Sequence, residues 1–92
     1  MRVELRGELD LATAGMVADR LRSLRERREP VVLDLDALQF MDATGLRVVL
    51  TAADEARRDG WAFSVTRGSA PVRRLFGLLE LDGRLPFERD GS

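Results

Sequence analysis

The chain contains no cysteine, no histidine and no lysine. The first absence excludes disulfide staples and thiolate metal sites. The second removes the commonest general base together with the commonest metal ligand. The third excludes a phosphate-binding glycine loop, which needs its Lys. Every one of the 15 basic residues is therefore Arg, set against 16 acidic residues for a net charge of −1. Arg, Asp and Glu are interspersed with no basic block, so nucleic-acid binding is not expected. No apolar run approaches the roughly 18 residues of a membrane span. Met1 leads straight into a strand-like segment without a charged-then-apolar leader. These absences predict a cytoplasmic protein with no direct membrane insertion.

What is present is ordinary globular material. The 92 residues suit one domain spanning 1–92, and 45% of them are hydrophobic, which argues against disorder. A chain of this size buries roughly 60–65% of its unfolded surface, enough for one modest core.

Hydrophobic periodicity orders the elements. Arg2 to Arg6 alternate, with Val3 and Leu5 on one side, as in a half-buried strand. Gly7 is expected to end that strand before a polar turn, Glu8-Leu9-Asp10. Thr13 is the expected N-cap of a helix over 14–28, whose apolar face is Val17, Leu21 and Leu24. Its Arg-rich remainder reads as a solvated face. Pro30 closes this helix, because a residue before Pro avoids the helical region. Val31 to Leu35 forms a central strand, Asp36 to Gln39 a turn, and Phe40-Met41 re-enters the core. A second helix over 44–59 buries Leu46, Val49, Leu50 and Ala53 and stops at Gly60. Residues 61–66 form a strand with Trp61, Phe63 and Val65 inward. Ser69 caps a third helix with Pro71 in its first turn and a stripe of Val72, Leu75, Phe76 and Leu79. Pro86 to Glu88 adds an edge strand, and the tail 89–92 frays. Such alternation means an α/β layer fold with at least two parallel pairings.

The segment from Phe40 to Leu46 holds the chemical interest, because it follows a strand and opens a helix. Unpaired N–H groups at a helix start carry partial positive charge and receive carboxylates, hydroxyls or phosphates. Asp42 is suited to accept those N–H groups, and Gly45 gives access to the backbone. Between them stand Ala43, with no hydroxyl, and Thr44, with one. Glu8, Asp10 and Asp42 each follow a strand and could meet to hold Mg²⁺ through water. A solvated rim of capping carboxylates is the preferred reading, so no metal and no cofactor is expected. With only Ser, Thr, Asp and Glu left for chemistry, no enzyme is expected either.

Three stretches in order resemble the STAS domain family, which includes the bacterial anti-sigma factor antagonists. They are Gly7-Glu8-Leu9-Asp10 with Thr13-Ala14; Val32 to Leu35 through Phe40-Met41-Asp42-Ala43-Thr44-Gly45-Leu46; and Ser69 to Phe76 with Leu81-Asp82. The resemblance implies a small α/β domain, a mixed sheet with helices packed against it. It also implies a kinase-like anti-sigma factor as protein partner, bound so as to free a sigma factor. That kinase phosphorylates a Ser directly after the loop Asp. Carried over by position, the partner surface is Asp10, Asp42, Ala43, Thr44 and Gly45, flanked by Leu46 and Arg47. The acceptor position is Ala43, which cannot be phosphorylated, and Thr44 is only a weak substitute. The usual switch is therefore not expected. The alternative within the family is a subunit of a phospholipid-transport ABC ATPase. The sequence starts at what resembles the family's second strand, so the usual first strand is expected to be missing. An unpaired sheet edge of that kind invites a homodimer.

Overall fold

A computed structural model describes residues 1–81 and 83–88. The chain order is β1 (Arg2–Leu9), α1 (Ala14–Glu26), β2 (Val31–Met41), α2 (Ala43–Asp59), β3 (Phe63–Val65) and α3 (Ala70–Leu78). The strands form one sheet in the order β1-β2-β3, and both pairings are parallel. A helix joins each strand to the next and returns the chain to the same end of the sheet, which makes neighbours parallel. The α/β expectation holds, while the described strands are parallel throughout rather than mixed. With right-handed crossovers and this order, α1 and α2 lie on one face, and they do pack against each other. The expected final edge strand is reduced to one parallel bridge, Val65 to Phe87. Residues 89–92, expected to fray, lie outside the described residues, as does Asp82.

Two expected turns are strand instead. β1 continues through Gly7, whose φ of +76° a side chain would resist. β2 continues through Asp36 to Gln39, the segment read as a turn. The register shows why: Glu4 pairs with Asp34 but Arg6 with Ala37, and Gly7 pairs with Leu38 but Glu8 with Phe40. Each step holds one extra residue on β2, a bulge that absorbs the turn-forming segment without ending the ladder. Asp34, itself buried, accepts the Asp36 N–H at 2.9 Å beside the first bulge.

The core is one cluster drawn from all six elements, with Leu24, Leu33, Leu35, Leu38, Val49 and Val65 fully buried. Burying each such side chain contributes about 1.5–3 kcal/mol. α2 lays Leu46, Val49, Ala52, Ala53 and Ala56 on the sheet. Leu50, expected among them, is only half-buried, because the small Ala52 and Ala56 draw the helix down along a neighbouring stripe. β3 is shorter than expected: beyond Val65 the Thr66 hydroxyl, buried, accepts the Leu35 N–H at 2.8 Å and continues the contact by side chain. Trp61 and Phe63 stack at 4.8 Å, and the Trp61 indole N–H donates to the Glu29 carbonyl at 2.7 Å. Leu79 is half exposed at 50%, outside the stripe assigned to α3, because α3 ends at Leu78.

Two arginines tie elements together. Arg2 bonds Asp34 at 2.9 Å and Glu88 at 3.0 Å, joining β1, β2 and the last described residue. Arg25 of α1 meets Glu55 and Asp59 of α2 at 2.9 and 2.5 Å. Hydrogen bonds to Asp34 and then Glu88 raise the pKa of Arg2. Hydrogen bonding to Asp59 raises that of Arg25, desolvation opposes the rise, and the charge of Glu55 adds a smaller rise.

Candidate functional site

β1 and β2 end side by side, since Leu9 pairs with Met41. Ligand and partner sites of parallel sheets collect at such carboxyl ends. Here two turns leave the sheet together, Asp10 to Thr13 into α1 and Asp42 into α2.

Asp42 joins the two turns. Its backbone is extended, and its Oδ1 accepts the Gly45 N–H at 2.9 Å, capping α2. Its Oδ2 accepts the Leu11 N–H at 3.2 Å, and its own N–H donates to the Leu9 carbonyl at 3.2 Å. Asp10 shapes the other turn. Its Oδ1 accepts the N–H groups of Ala12 and Thr13 at 3.0 and 3.2 Å. Thr13 does not cap α1 as expected. Its hydroxyl accepts the Asp10 N–H at 3.0 Å and donates to the Glu8 carbonyl at 3.0 Å, holding the turn to the strand.

Gly45 sits where no other residue fits. A Cβ there would lie 2.2 Å from the Leu9 carbonyl oxygen and 2.7 Å from the Leu9 side chain. The first turn of α2 therefore rests directly on the end of β1. The residue expected to expose backbone is buried, and its role is this close approach.

The seven residues carried over from the resemblance thus separate by exposure. Ala43 and Arg47 are exposed, and Asp10, Asp42 and Thr44 are half-buried. Gly45 and Leu46 are buried, Leu46 at 8% exposure in the core cluster. Leu46 therefore supports the rim from beneath rather than flanking it. Helical spacing explains this: Leu46, Val49 and Ala53 share one stripe, and that stripe faces the sheet.

Two rim residues escaped the sequence reading. Leu11 is 78% exposed at the tip of the first turn, held by its N–H to Asp42. Phe40 is 48% exposed beside Met41, although both were assigned to the core. Successive strand residues face opposite ways, so buried Met41 forces Phe40 outward. That parity was readable, as was an apolar Leu11 in a polar turn that no core face claims. Glu8, Asp10 and Asp42 do not assemble as a metal site: among the described residues no group of three carboxylates has that geometry. Asp10 and Asp42 instead hold backbone N–H groups.

The family model described as Mlab, STAS domain matches residues 1–87. The chain belongs to the STAS domain family. It is 37% identical over 87 residues to the anti-sigma F factor antagonist of Paenibacillus polymyxa, spanning 92% of this chain and 74% of that protein. In fold it resembles the unphosphorylated anti-sigma factor antagonist SpoIIAA, with a TM-score of 0.72 at 19% identity over 99% of this chain and 79% of the other. A protein of Thermotoga maritima superposes with a TM-score of 0.80 at 20% identity, over 99% and 81% of the two chains. This STAS domain is thus of the anti-sigma factor antagonist type by sequence and shares that fold. Among its described residues no helix is long and apolar enough to cross a membrane.

Proposed function

We propose that this STAS domain is an anti-sigma factor antagonist that binds a kinase-like anti-sigma factor through the rim at the ends of β1 and β2, and that it transforms nothing itself. Binding frees a sigma factor. Leu11, Phe40, Ala43 and Arg47 supply the exposed contact, while Asp10 and Asp42 hold the turns that present them. A rim already braced by side-chain hydrogen bonds loses little entropy on docking.

One observation carries this reading: the first residue of α2 is exposed, and it is Ala43. A phosphoryl group there would add about −1.5 to −2 charge at the contact. A methyl group accepts none, so the antagonist stays competent in the presence of ATP. Half-buried Thr44 does not replace it.

The test mixes the protein with the kinase-like anti-sigma factors of its own genome, with and without ATP. A stable complex that ATP neither labels nor weakens is expected. Ala43→Ser is expected to become labelled and to release the partner when ATP is added. Labelling of Thr44 in the unsubstituted chain would overturn the unswitched state, and absence of binding to every candidate would overturn the partner. Ala43 also suits a second reading, in which the same rim and α2 contact a transport ATPase without phosphorylation. Co-purification with an ATPase in place of an anti-sigma factor would select it.

A further inference from the structure

We draw no further inference here: the strongest candidate, the cleft beyond the carboxyl end of β3 lined by Asp36, Thr66, Arg67, Gly68, Arg73 and Glu88, carries nothing, because Arg67 already lies over the Phe87 ring, Asp36 already accepts the Gly68 N–H and Glu88 already bonds Arg2, and nothing in the structure shows what would fill it.

Discussion

α2 and α3 each follow a strand of the same sheet, yet their ends are built on different principles. α2 begins at Asp42, whose carboxylate caps its own helix, and ends at Gly60 in the left-handed conformation with φ of 70°. Both are the residue types that local rules favour. α3 begins at Ser69, whose hydroxyl ignores the helix and donates to the Leu38 carbonyl. It ends through Glu80, a non-glycine residue at φ of 54°. There Leu81 donates its N–H to the Phe76 carbonyl at 3.0 Å and is itself buried. Local chemistry closes α2, whereas contact with the rest of the fold closes α3. The difference suits their positions: the first turn of α2 rests on the end of β1, and the start of α3 is tied to β2.

The comparison is broken most severely at the seat of α2. Gly45→Ala places a carbon against the Leu9 carbonyl. It should destabilise the protein by about 3 kcal/mol, read as a lower urea midpoint, and should shift the rim enough to weaken partner binding. Removing the cap comes next. Asp42→Ala should cost about 1–2 kcal/mol and should also release the Leu11 turn, seen as faster amide exchange at Leu11 and Gly45. Ser69→Ala should cost about 1 kcal/mol, the net worth of one tether. Its exchange effect should appear at the α3–β2 contact and leave the rim unchanged. If the two substitutions loosened the same amides, the distinction between the helix starts would fail. The smallest effect runs the other way. Glu80→Gly should stabilise by about 0.5–1 kcal/mol by relieving left-handed strain, raising the melting temperature by a few degrees. Arg28 has the same geometry at the end of α1, but its guanidinium also donates to the Asp59 carbonyl at 3.1 Å. Arg28→Gly should therefore gain less than Glu80→Gly.

The rim was legible as a place and only partly as a surface. Asp42 could be named as a cap because a carboxylate before an apolar-periodic run has a local reason to be there. Asp10 could be named because it leaves a strand. Ala43 could be named from its position after Asp42 in a stretch resembling the STAS family. That Gly45 is a packing residue could not be read, because its neighbour, Leu9, lies 36 positions away and meets it only when β1 and β2 pair. Leu46 was read as buried on the second helix and is so, although the resemblance also set it beside the partner surface, whereas Phe40 was misplaced in the core. Helical spacing already set Leu46 on the buried stripe, and strand parity already set Phe40 opposite Met41.

By itself the sequence determined the alternation of strands and helices, the stop at Gly60 and the cap at Asp42, together with the absence of any thiol, imidazole or lysine chemistry. Each of these depends on residues within a turn or two of one another, or on composition. Tertiary structure alone decided that β1 runs through Gly7, that β2 absorbs Asp36 to Gln39 as bulges, and which half of the rim faces outward. Those outcomes depend on interstrand register and on the contact of α2 with β1. Register pairs residues some thirty positions apart, and no local pattern specifies such a pairing until the sheet has formed.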